Sequence, residues 1–148
     1  MPPCTAQSCA PKKGTDAHRI KICIVDDQDV FAAIGEEGFE RLVAAFYRQV
    51  PRDEVLRQLY PKDDLAGAEQ RLRDFLIFRF GGPPRYIEQR GHPRLRMRHA
   101  PFAVDSTARD HWMLLMGRAM EEAGLPDEVK QTLAAYFESS AAAMINRQ

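Results

Sequence analysis

Two of the chain's four histidines and three arginines fall within the twelve residues Gly91 to Phe102: His92, Arg94, Arg96, Arg98 and His99, with Pro93 and Pro101 bounding any helix between them. No competing metal ligand lies beside His99. A neutral imidazole can bind a metal through one ring nitrogen, and nearby guanidinium groups can pair with the carboxylates of a large anionic cofactor that brings its own equatorial ligands. Haem has that chemistry, needing one imidazole for iron and basic groups for two propionates. The same residues also make an ordinary solvated basic face, so at this level both readings stand. His92 cannot share one metal with His99, because seven helical residues rise about 10 Å and Pro93 interrupts the helix; it is expected in a loop.

The remaining ligand-type residues are sparser. Cys4, Cys9 and Cys23 precede the main body and, with His18, could form a three-cysteine, one-histidine zinc set. Their spacing lacks a close cysteine pair, so free thiols in a reducing compartment are the expectation. The formal net charge is zero, which removes the basic excess that broad nucleic-acid binding requires. The longest apolar runs, such as Met113 to Met116, are far short of a bilayer span, and no secretory apolar segment follows the start. A cytoplasmic location is therefore expected.

The elements that must hold these residues follow from periodicity. Residues 1–28 are expected to be an extension, mostly disordered, with Pro, Lys and Gly and no repeating apolar pattern. Within it, Ile20 to Asp27 alternates like a strand and ends in two aspartates, as in a receiver domain of signalling proteins. The alternating strands and helices a receiver needs do not follow. From 29 to 148 the pattern is helical. Phe39, Leu42, Val43, Phe46, Tyr47 and Val50 form one stripe closed by Pro51, and a short helical stretch is expected at about 53–59. Leu65, Ala68, Leu72, Phe75 and Leu76 repeat the stripe until Gly81, Gly82, Pro83 and Pro84 stop it. A loop carrying Tyr86 and Gly91 should lead to the short helix bearing His99. Asp105 or Ser106 can cap the next helix, which carries Trp112, Met116 and Met120 and ends at Gly124. Pro126 opens the last, with Val129, Leu133, Phe137, Ala141 and Met144. Four long helices, two or three short ones and no strand make the fold all-α.

On these residues the chain resembles the truncated haemoglobins of the second group, from about Val30 to Asn146. The resemblance is carried by Phe46 and Tyr47, by Tyr60 and Pro61 through Asp64 with Leu65 to Ala68, by Gly81 to Pro83, by Gly91 to Phe102, and by Asp110 to Trp112. It implies a two-over-two helical sandwich enclosing haem b, with His99 as the proximal iron ligand. Ala68 then stands opposite the iron and cannot coordinate it, leaving the sixth position open. Tyr47, Tyr60 and Trp112 would donate hydrogen bonds to a polarised diatomic ligand, each worth roughly 1–2 kcal/mol. Phe46, Leu72, Phe75, Leu76 and Met116 would form apolar walls, and Arg71 and Arg98 would face the propionates. His111, about 100° round the helix from Trp112, is expected at the surface or between helices, without chemistry.

The implied function is binding of dioxygen, and of nitric oxide or carbon monoxide, with redox chemistry on the bound gas such as nitric oxide dioxygenation or peroxide handling. That chemistry would require an unidentified reductase; assembly into a homo-oligomer stays open. The rival readings are a haem-free helical module for sensing or interaction, and a receiver-like protein built on Asp26 and Asp27. Two features depart from the family pattern: the extension before Val30, and the stretch Ile34 to Gly38, where a shortened first helix meets the next.

Overall fold

Among the residues described, α-helix begins at Val30, where the apolar periodicity begins. The computed structural model describes residues 25–147. The proposed zinc set of Cys4, Cys9, His18 and Cys23, and most of the strand-like stretch starting at Ile20, lie outside the described residues. Of that stretch, Asp27 opens a single 3-10 turn ending at Asp29, so the second aspartate of the receiver-like pair introduces a helix and does not end a strand.

Six α-helices follow: α1 (Val30–Gln49), α2 (Leu65–Arg79), α3 (Arg85–Arg90), α4 (Leu95–His99), α5 (Ser106–Glu122) and α6 (Asp127–Met144). No strand occurs among the described residues. The long helices form two pairs, α1 with α2 and α5 with α6, joined by the packing of α1 on α5. This is the two-over-two sandwich.

The departure at Ile34 to Gly38 takes a definite form. Gly35 breaks α1 with φ 66° and ψ −177°, a conformation open essentially to glycine, so the first helix ends there and a second begins. Beyond the break, Phe39, Leu42, Val43, Phe46, Tyr47 and Val50 are all buried as one stripe. Each such large side chain contributes about 1.5–3 kcal/mol through removal from water. Against them lie Leu76 and Ile77 of α2, Leu115, Met116 and Ala119 of α5, and Val129, Leu133 and Phe137 of α6.

The glycines at the end of α2 are demanded by contact. Gly81 has φ 96°, and a Cβ there would lie 2.1 Å from the Gln28 carbonyl oxygen, so the 3-10 turn leading into α1 and the end of α2 can meet only over a bare backbone. At the other end, the Asp64 carboxylate accepts from Gly67 N–H, and a Cβ on Gly67 would sit 2.3 Å from that carboxylate. Asp105 Oδ1 caps α5 by accepting from Ala108 N–H at 2.8 Å.

Two local expectations need correction. The segment carrying Tyr86 is the helix α3, with Tyr86 buried edge-on against Phe75 at 5.4 Å between ring centres. Six residues between a proline pair and Gly91 are too few to display a helical period. The stretch 53–59 is not one helix: Asp53 is extended and only Leu56–Gln58 makes a 3-10 turn, which Asp53 caps through Leu56 N–H at 2.8 Å and Val55 N–H at 3.0 Å.

Candidate functional site

Three elements bring the three protic aromatic residues together: α1 supplies Tyr47, the turn before α2 supplies Tyr60, and α5 supplies Trp112. Phe46 is their common neighbour, with ring centres 5.3 Å from Tyr47, 6.3 Å from Tyr60 and 5.5 Å from Trp112. Tyr47 and Tyr60 meet edge to face at 5.6 Å, and Trp112 rests against Phe137 at 5.3 Å. Such contacts fix ring orientation at favourable energy. The Trp112 side chain acts on the Tyr60 phenol, favouring its ionised form against the effect of burial.

Burial holds both phenols in the protonated, donor-competent form. Loss of solvent pushes Tyr60 up to about 12, partly offset by the Trp112 hydrogen bond. Burial pushes Tyr47 up further; Tyr60 and Glu69 add to the rise and the Arg71 charge opposes it. Two phenols and one indole with secure protons can stabilise negative charge developing on a small polar guest, which water could do only at the cost of reorganising.

His99 ends α4. Its Nδ1 lies 2.7 Å from the Leu95 carbonyl oxygen, one helical turn back. A carbonyl can only accept, so Nδ1 carries the proton and Nε2 keeps its lone pair for a metal. This orienting contact arises from the α-helical register itself. His92 is exposed, in the turn before α4, where its Nδ1 accepts from Arg94 N–H at 3.2 Å. No cluster of three metal-binding side chains occurs among the described residues, so His99 would hold a metal as sole protein ligand, as an axial haem ligand does.

The other assigned residues divide by burial. Phe46, Ala68, Phe75, Leu76 and Met116 are sealed in the core, whereas Leu72 and Trp112 are only half-buried, with Leu95 beside them in that class. Apolar side chains left partly uncovered suit a flat, apolar ring system. Together with a single free imidazole nitrogen and protonated donors, they fit haem. Arg71 pairs with Asp64 at 3.0 Å. Arg98 donates from Nε to the Pro93 carbonyl at 2.8 Å and from Nη2 to the Arg90 carbonyl at 2.9 Å. Each arginine thus braces its own segment, and a propionate would meet the donors left over.

Three contributors were not foreseen. His111 lies half-buried between elements, in keeping with the expected place, and its Nδ1 is 2.9 Å from Asp53 Oδ2, tying α5 to the turn that leads to Tyr60. Asn146 bonds to the chain on both sides of Pro101, including the His99 carbonyl. Only Asp53 had a sequence signal, an acidic residue three positions before Leu56 at a turn start; the other two act through contacts distant in sequence.

Comparison with known proteins agrees with this architecture. Residues 29–146 match the family model described as bacterial-like globin. The group 2 truncated haemoglobin YjbI of Bacillus subtilis is 38% identical over 117 residues, covering 79% of this chain and 88% of that protein. Among solved structures, the haemoglobin of Chloroflexus aurantiacus superposes with a TM-score of 0.77 at 45% identity, covering 80% of this chain and 98% of that one. The thermostable haemoglobin of Thermobifida fusca gives 0.76 at 47% identity, covering 79% and 96%. With its all-helical sandwich and its match across most of the chain, the protein belongs to the bacterial-like globin family as a group II truncated haemoglobin, a haem protein that binds gas.

Proposed function

We propose that this globin binds dioxygen, with nitric oxide and carbon monoxide as competing guests, on haem held by His99 Nε2, and that it turns over the bound gas by nitric oxide dioxygenation or peroxide handling. Haem supplies the iron that takes up the diatomic molecule and exchanges electrons. The observation that carries the reading is the convergence of Tyr47, Tyr60 and Trp112 around Phe46. Three donors fixed by packing retain a polar guest and slow its escape, which suits chemistry on the guest better than delivery of it. Ala68, buried and without a ligating atom, would add no second protein ligand to a haem held by His99. A solved relative from Bacillus subtilis is itself described as oxygen-avid, which supports slow release here.

Conversion of nitric oxide and dioxygen to nitrate consumes one electron per turnover, so a reductase partner is part of the proposal. The test mixes the oxygenated protein with nitric oxide and an electron donor. Sustained nitrate formation supports dioxygenation. Gas binding with one burst of nitrate and no turnover under any reductant, together with no peroxide consumption, overturns the redox part and leaves a dioxygen binder. Purified protein with no Soret band even after hemin is supplied would instead favour a haem-free module.

A further inference from the structure

We infer that Asn146, beyond the end of α6, is a positioning residue for His99: its side chain clamps the end of α4 and so sets the geometry of the imidazole toward haem. The inference rests on His99 being the haem ligand. Helix α4 has five residues, too few to be stable alone; beyond its end the Met97 carbonyl accepts from Ala100 N–H at 3.3 Å and the His99 carbonyl from Phe102 N–H at 2.9 Å, a turn that itself has to be held in place. Something outside must hold it. Helix α6 packs against it, and the side chain of Asn146 uses both ends of its amide there. Oδ1 accepts from Val104 N–H at 2.9 Å, while Nδ2 donates to the Phe102 carbonyl at 2.9 Å and to the His99 carbonyl at 3.2 Å. The partners dictate the residue: one N–H requires an acceptor and two carbonyls require two donors, an inventory that asparagine meets and aspartate does not. The main-chain N–H groups of Asn146 and Arg147 also bond to the Val104 carbonyl, at 2.9 and 3.1 Å.

The imidazole is thus fixed twice. The Leu95 carbonyl sets the ring's rotation through Nδ1, and Asn146 holds the backbone from which the ring projects. Arg98 braces the other end of the same short helix through the Arg90 and Pro93 carbonyls. A chain segment 47 residues away in sequence therefore decides where α4 ends in space.

Asn146→Ala removes the side-chain bonds but keeps the main-chain pairing with Val104, so the segment stays docked. Asn146→Asp keeps the acceptor and loses both donors. In hemin-reconstituted protein both variants should lose hemin to an apoglobin acceptor about ten-fold faster. The iron–imidazole stretching band of the ligand-free ferrous protein should shift or broaden. In the apoprotein the Val104 amide should exchange faster in Asn146→Ala. Unchanged hemin loss and an unchanged band in both variants overturn the clamp, as does a lower melting temperature with the band unmoved, which marks a merely structural role. His99→Ala is the independent control: if it abolishes the band, the ligand assignment stands whatever Asn146 does; if the wild-type band persists, that assignment fails and the clamp with it.

Discussion

His111 Nδ1 lies 2.9 Å from Asp53 Oδ2, which joins α5 to the turn that precedes Tyr60. His111 immediately precedes Trp112 on α5, and Asp53 caps the turn through which the chain reaches Tyr60. One hydrogen-bonded contact therefore ties the helix carrying Trp112 to the turn that leads to Tyr60, the two residues proposed as donors. This pair is at least as distant in sequence as the contact between Asn146 and the end of α4.

Asp53 should make acid stability distinctive. Burial alone would raise its carboxyl, but hydrogen bonds from Leu56 N–H, His111 and Val55 N–H outweigh burial and hold it below the usual carboxylate value. The folded state then binds fewer protons than the unfolded one in acid, so the contribution is present above the ordinary carboxylate pKa and lost as pH falls through the lowered value. Asp53→Ala should cost about 1–2 kcal/mol at pH 7, with the gap closing toward pH 3 in urea unfolding. A gap that stays constant with pH contradicts this account.

Tyr60 should act at the alkaline end. Burial pushes its phenol up from the ordinary 10.0 to about 12 in the folded protein. Because the raised value favours the protonated folded form, its contribution is full below pH 10 and disappears as pH rises toward 12. Spectrophotometric titration should show one late-ionising tyrosine missing from Tyr60→Phe, and alkaline unfolding should become less steep over that interval. Normal ionisation of all four tyrosines in the wild type would show that the phenol is not desolvated.

Trp112→Phe keeps the ring contacts with Phe46 and Phe137 but deletes the indole N–H. Dioxygen should then dissociate several-fold to about ten-fold faster, the worth of one hydrogen bond of roughly 1–2 kcal/mol. Stopped-flow displacement measures this directly; an unaltered rate removes Trp112 from the donor set.

Gly81 and Gly124 separate conformational strain from collision. Both have positive φ, 96° and 66°, but an alanine methyl at Gly124 meets nothing within 4 Å whereas at Gly81 it strikes the Gln28 carbonyl. Gly124→Ala should cost about 1–2 kcal/mol. Gly81→Ala should cost more, because the contact between the turn at Gln28 and the end of α2 must also open. Equal melting temperatures for the two variants would show that the close approach carries no energy.

Much of the molecule was legible in the linear chain because its determinants are local or periodic. The stripes from Phe39 to Val50 and from Val129 to Phe137 announce buried helix faces, and glycines and prolines mark most of the ends. The Asp105 cap needs only a short polar side chain three positions before a free N–H. The His99 orientation was partly legible too, since the carbonyl it meets belongs to its own helix. Short pieces were not: α3 and the turn after Asp53 are stabilised by Tyr86 against Phe75 and by a carboxylate cap, not by repetition.

What the amino-acid order determined by itself was the all-helical class, the position of the breaks and the family resemblance that nominated His99, Tyr47, Tyr60 and Trp112. Tertiary structure decided how those side chains are held. Phe46 gathers three rings from three elements, Asp53 meets His111 across 58 positions, and Asn146 reaches back to the His99 carbonyl. The physical reason is that a hydrogen bond or ring contact depends on separation in space, whereas periodicity reports only which face of a helix is buried, not which distant residue it will meet.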